Sequence, residues 1–225
     1  MMTGDDGRHV VPAGIAVPAG LVLAIAALTG MVVEWVAAAM STAPYSMIEQ
    51  AASDLGVTTC GPLTYTDPPV EVCSPAHAWV NGVWIVAGLA IAVTVLLLHR
   101  WFRNGGRRRS GSWAVLLLAA AALLQSAVGA VPVDADLALH TVLALVGFLA
   151  QNAGLILAGA ALSGRHRLLG VTAVLGGVIG MASLGLFVAP TAWNLPLGLI
   201  ERISMYPYPL WLAAAGVVTA ARRGR

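Results

Sequence analysis

Glu201 and Arg202 stand side by side, followed closely by Tyr206-Pro207-Tyr208-Pro209. An arginine in such a place can hold an anionic group by charge-assisted hydrogen bonds, and proline removes backbone donors and kinks a helix. His140 lies about one helical turn beyond Asp134-Ala135-Asp136, while His77 and Asn81 are four residues apart and share a helix face. An imidazole can serve as general base or metal ligand beside a carboxylate such as Asp54 or Glu201. His77, His140, Asp54 and Glu201 are therefore the catalytic candidates. Plainer readings stand beside these. His77 can bond a loop carbonyl, the two aspartates can stabilise a helix dipole, and Glu201-Arg202 can be an internal ion pair. An Asp-x-Asp pair can hold a divalent cation, but three residues are too short a pattern to define a metal site, and none is expected. A G-x-S-x-G nucleophile motif is absent from the sequence, and no cofactor can be named from it.

These groups are set in very apolar surroundings. Hydrophobic residues make up 59% of the 225-residue chain and charged residues 10%, against about 25% charged in soluble domains. The chain lacks the polar groups to cover a water-facing surface, which excludes a cytosolic enzyme, a nucleic-acid binder and a secreted disulfide knot. Apolar stretches at about 13–36, 76–98, 113–131, 137–161, 168–190 and 198–221 approach or exceed the roughly 20 residues a helix needs to cross a bilayer. Only helices satisfy backbone hydrogen bonds in such runs, and the period-two alternation of a membrane barrel is missing. The expectation is an all-α, polytopic membrane protein with six transmembrane helices in one domain over 1–225.

Orientation follows from charge. All twelve basic residues are arginine, and eleven fall before span one, between spans two and three, between spans four and five, or after span six. Arg202 alone lies on the other side. The positive-inside rule then puts both termini in the cytoplasm of a cell-membrane protein, and anionic inner-leaflet lipid, not nucleic acid, is what the arginines meet. Ala37-Ala38-Ala39 resembles a cleavage site, yet the apolar run before it exceeds the 7–15 residues of a signal core; span one is read as uncleaved.

The first extracytoplasmic loop is long, about 40 residues, and holds both cysteines, Cys60 and Cys73. An oxidising exterior permits a disulfide between them; free thiols or a metal pair are the alternatives, and the spacing is not that of a zinc site. Ser74-Pro75 reads as an N-cap followed by proline at the first helical position. Glu34 sits near the outer end of span one, and Gln151 and Asn152 lie deeper in span four, where amides commonly bond between helices.

Three stretches together resemble a six-span family of bacterial and archaeal membrane proteins defined only as a domain of unknown function, DUF998. They are Tyr45-Ser46 with Ala52-Ser53-Asp54-Leu55-Gly56 and Cys73-Ser74-Pro75-Ala76-His77 plus Asn81; Gly129-Ala130-Val131-Pro132 with His140; and Gly198-Leu199-Ile200-Glu201-Arg202-Ile203 with Tyr206-Pro207 and Trp211. Val133, which stands before Asp134, departs from the family pattern. A more distant similarity, at fold level only, runs to eukaryotic Frag1/DRAM/Sfk1-type proteins and transfers no function. The resemblance carries over Ser53, Asp54, His77, Asn81, His140, Glu201 and Arg202, all of which the topology places at the outer face.

The sequence thus points to an outer-face polar cluster that binds or modifies a lipid or isoprenoid headgroup. Arg202 would hold an anionic group, Asp54 and Glu201 would orient it, and Tyr45, Trp79, Tyr206 and Trp211 would form the apolar wall. The alternative is a non-enzymatic structural or partner-binding protein whose cluster ties the loop to the bundle. Membrane lipid is the expected partner, with a second copy of the chain or another membrane protein also open.

Overall fold

The computed structural model describes residues 11–65, 68–103, 107–188 and 195–221. Arg8 and the terminal Arg222, Arg223 and Arg225, all used in the topology argument, lie outside the described residues.

Eight helices carry the fold among the described residues: α1 (Ala13–Met40), α2 (His77–Leu97), α3 (His99–Arg103), α4 (Arg108–Ala130), α5 (Leu137–Leu162), α6 (Arg167–Val188), α7 (Leu197–Met205) and α8 (Pro207–Ala221). Five of them, α1, α2, α4, α5 and α6, are long and apolar enough to cross a membrane. Their outward faces stay apolar: Leu168 is 77% exposed, Trp79 73% and Val86 67%. So much exposed hydrocarbon is untenable in water and natural against lipid. The protein is an all-α membrane protein.

Neighbouring helices pack as a closed ring. α1 packs on α2, α2 on α4, α4 on α5, α5 on α6, α6 on α7 and α8, and α8 returns to α1. Small residues set the closest crossings. Gly20 of α1 and Gly216 of α8 face each other so tightly that a Cβ at Gly20 would lie 2.5 Å from the Gly216 carbonyl oxygen, the close approach that glycine permits between membrane helices. At the α3 end the ring is filled by Leu98, Phe102, Leu118, Leu162, Trp211 and Leu212. The opposite end is hollow.

The expected sixth stretch is interrupted. α7 and α8 meet at Tyr206-Pro207, where Pro207 and Pro209 lack the N–H groups that would bond four residues back, to Ile203 and Met205. Two amides from α5 serve the carbonyls around the break. Gln151 Nε2 donates to the Ser204 oxygen at 3.0 Å and Asn152 Nδ2 to the same oxygen at 3.2 Å.

The first loop is more ordered than its sequence announces. A 3-10 helix, Ala52–Gly56, is followed by a two-stranded antiparallel hairpin, β1 (Gly61–Leu63) and β2 (Val70–Val72). Cys60 and Cys73 form a disulfide beside the Gly61–Val72 pair, closing the hairpin at its base. Val57, Val72 and Val133 make a small apolar cluster beneath it. Asp134 clamps the hairpin's entry: its Oδ2 accepts from the backbone N–H and hydroxyl of both Thr58 and Thr59, at 2.8–3.1 Å. Those four bonds outweigh partial burial and hold its carboxyl below the usual aspartate range. Asp136 caps α5, accepting from the Leu139 N–H at 2.9 Å. The Asp134-x-Asp136 pair is therefore loop and helix architecture.

Ser74 corrects an expectation. It does not cap α2, whose N-cap is Ala76; its hydroxyl donates instead to the Leu55 carbonyl at 2.7 Å, because the buried 3-10 helix leaves that oxygen facing it.

Candidate functional site

The Gly198-Leu199-Ile200-Glu201-Arg202 segment, the first turn and a half of α7, docks the first loop. Leu199 N–H donates to the Ile48 carbonyl at 2.7 Å. A Cβ on Gly198 would collide with the Gln50 carbonyl oxygen, so glycine is what allows the loop to lie against the helix. Glu201 Oε2 accepts from the Ala52 N–H at 2.6 Å, at the start of the 3-10 helix.

Arg202 is 6% exposed, and each of its three nitrogens donates. Its Nε donates to Glu34 Oε1 at 2.7 Å, an ion pair between α1 and α7. Its Nη1 donates to the carbonyls of Met47, Gln50 and Gly198, and its Nη2 to the Tyr45 hydroxyl at 2.7 Å. Tyr45 passes the chain on to the Ala51 carbonyl at 2.8 Å. The second Glu34 oxygen accepts from the Tyr206 hydroxyl at 3.1 Å. This guanidinium has no open face for an anionic ligand; it knits α1, the loop and α7 together.

The Ser53-Asp54-Leu55-Gly56 segment is locked from the other side. Asn81 Nδ2 donates to the Gly56 carbonyl at 2.8 Å, and a Cβ on Gly56 would lie 2.4 Å from Asn81 Oδ1. Asp54, 1% exposed, accepts from the Tyr65 hydroxyl at 2.6 Å through Oδ1, while its buried Oδ2 has no hydrogen-bond partner. Burial outweighs the Tyr65 bond and pushes the Asp54 carboxyl up to about 6. Burial and the neighbouring Asp54 push the Tyr65 phenol up as well.

Below this lock the ring surrounds a partly open cavity between α1, α2, α4, α5, α7 and α8. The cavity is small, about 80 Å³. Along α5 it runs from His140 to Gln151, about 16 Å at 1.5 Å per residue, or half of a ~30 Å hydrocarbon core. Its walls are mostly apolar (Ala27, Ile91, Ala121, Leu143, Ala144, Phe148), with Gln125, Gln151 and Tyr208 also on them, and Glu34, Ser53, His140, Glu201 and Tyr206 form its polar end beneath the loop. His140 is 5% exposed, with Nδ1 2.7 Å from the Val131 carbonyl. A carbonyl only accepts, so Nδ1 carries the proton and Nε2 of the neutral ring is left as an acceptor.

The structure thus divides the residues singled out by sequence. Ser53, His140, Glu201 and Tyr206 share the cavity. Asp54, Asn81 and Arg202 belong to the loop lock behind it. His77 joins neither: its Nδ1 lies 2.9 Å from the Ser74 carbonyl, so it bonds the start of its own helix and is not placed to act with Glu201. The expected apolar wall also changes. Tyr45 serves Arg202, Trp79 faces outward, and Trp211 is buried in the filled end with its Nε1 donating to the Leu169 carbonyl. Of the further cavity residues, Gln125 was missed from sequence, while Glu34 and Tyr208 were noted there without a place in the site. Gln125 was findable, as the only amide in an otherwise apolar α4; the place of Glu34 depends on a pairing across 168 positions.

Among the described residues no group of three or more His, Cys, Asp and Glu side chains is placed to hold a metal ion.

A ring of apolar helices, capped on one side by a disulfide-closed loop and hollow beneath it, defines a polytopic helical membrane protein. The chain belongs to the family described as "Protein of unknown function (DUF998)", whose model matches residues 24–218. No curated protein and no solved structure matches it.

Proposed function

We propose that this protein binds a membrane amphiphile, a lipid or isoprenoid, whose chain lies in the inter-helix slot and whose head meets the polar mouth beneath the first loop. The observation that carries the reading is the lining of the cavity: mostly apolar walls, with the carboxylates and His140 gathered at the end beneath the loop and only the neutral Gln125, Gln151 and Tyr208 as polar side chains deeper in. A hydrocarbon chain needs such walls, and a few convergent polar groups fix orientation. The reading takes α7 and α8 together as a sixth, kinked crossing, with both termini cytoplasmic and the mouth facing the outside of a bacterial cell membrane. Eleven of twelve arginines on one side support that topology.

Modification, not only binding, is within the chemistry of the mouth, since His140 Nε2 and Glu201 are both acceptors suited to taking a proton. A structural role for the outer cluster is favoured by one observation, the saturation of Arg202. The two readings apply to different residues: Arg202, Asp54 and Asn81 hold the loop, and Glu201, His140, Ser53 and Tyr206 face the slot.

The test is lipid mass spectrometry of the purified protein against two α5 variants. Ala144→Phe fills the slot, whereas Val146→Phe adds the same ring on the exposed face. A species that co-purifies at near one-to-one ratio with wild type and Val146→Phe, and is lost in Ala144→Phe, is the expected result. Identical lipid profiles for all three would overturn the reading.

A further inference from the structure

The polar end of the slot is rich in acceptors; apart from His140 Nδ1, its only side-chain donors among the described residues are hydroxyls. Glu34 and Glu201 line it, His140 presents Nε2, and Ser53 and Tyr206 complete it; no arginine is among its lining residues. Glu34 is already answered by Arg202 on one oxygen and Tyr206 on the other. Glu201 is not. It is 5% exposed, and among the described residues only its Oε2 is hydrogen-bonded, to the neutral Ala52 N–H. The adjacent Arg202 is turned away, its donors used on Glu34, Tyr45 and three carbonyls. Three carboxylates, Glu34, Asp54 and Glu201, are thus buried around one guanidinium, and His140 shares the cavity with Glu201. A buried carboxylate of this kind calls for a positive charge or a strong donor.

We infer that the head recognised by this site is an ammonium group, carried on a single hydrocarbon or prenyl chain, and not a phosphate. This rests on the slot reading above. The ammonium sits between Glu201 Oε1 and His140 Nε2, donating to both, while the chain runs down α5 toward Gln151. A phosphate in the same place meets Glu34 and Glu201 while the nearby Arg202 is committed to Glu34 and the loop, so the site selects against it as well as for the amine. It reverses the choice suggested by Arg202 in the sequence, because the arginine is spent on the loop.

The experiment uses the full-length protein in phosphatidylcholine nanodiscs and three chain-matched probes: tetradecylamine, tetradecanol and tetradecyl phosphate. Equilibrium binding should show the amine at least 10-fold tighter than the phosphate, with the alcohol between. Glu201→Gln, which keeps an oxygen for the Ala52 N–H, should erase most of that preference without changing binding of the alcohol. Equal binding of the three probes, or a preference for phosphate, overturns the ammonium assignment and leaves the slot reading intact. Binding of none of them, with Ala144→Phe indistinguishable from wild type, overturns both.

Discussion

Asp54 and Arg202 are buried ionisable residues with opposite expected responses to loss of charge. The Asp54 carboxyl is raised to about 6 from an unfolded value of 3.8, so the folded protein holds its proton more tightly. The Asp54 contribution to stability is present below about pH 4, declines as pH rises to about 6, and is flat above; a shift of that size corresponds to about 3 kcal/mol. Asp54→Asn keeps an acceptor for the Tyr65 hydroxyl without the charge. Its melting temperature at pH 7.5 should exceed that of wild type, and the difference should vanish near pH 4; an unchanged difference across that range would contradict the assignment. Arg202→Ala does the reverse. It strands the Glu34 carboxylate and the loop carbonyls of Met47 and Gln50 in the bundle, and losing one partner of a buried pair costs about 3–5 kcal/mol. Arg202→Lys should rescue little, because one ammonium cannot span Glu34, Tyr45 and the carbonyls. Fluorescence-detected gel filtration after heating reads both variants. Charges in apolar stretches made Glu34, Glu201 and Arg202 legible as candidates in the sequence. Their roles were not, since roles depend on partners: Glu34 answers Arg202 from 168 positions away, and the tautomer of His140 is set by a backbone carbonyl that has no letter of its own.

The break between α7 and α8 shows how one element is stabilised by another. Pro209 leaves the Met205 carbonyl without its helical donor, and the α5 amides reach into this break. Gln151→Leu should therefore lower stability by about 1–3 kcal/mol, the cost of leaving a buried acceptor unmet. In a Pro209→Ala background, where a backbone N–H is restored, the same change should cost markedly less. A thermal-melt double-mutant cycle checks the coupling, and strictly additive losses would contradict it. At this scale the long helices were readable, because an apolar run of bilayer length leaves the backbone little choice. The kink at Pro207 was readable for the same reason that proline breaks any helix. The hairpin was not: three-residue strands carry too little alternation to register, and a disulfide, an apolar cluster and Asp134 hold them in place.

As a whole the molecule is a ring of helices filled at one end and hollow at the other, with the first loop pinned over the hollow end. Composition announced the membrane, and the arginine distribution supports an orientation, but closure of the ring depends on which helices touch. That was set by small residues such as Gly20 and Gly216, whose partners no single stretch of sequence identifies. The loop's long-range bonds run to α7, α2 and the turn before α5, and it packs on Ala37 of α1, so the loop and the slot form one unit. The central claim is that an amphiphile's chain lies inside that ring. A photoreactive lipid with a mid-chain diazirine, cross-linked in nanodiscs and mapped by peptide mass spectrometry, tests it most directly. The account predicts adducts on the slot-facing residues Ala121, Gln125, Ala144 and Phe148, lost when Ala144→Phe fills the space. Adducts confined to the outward-facing Val142, Val146 and Leu149 of the same α5 helix would contradict it.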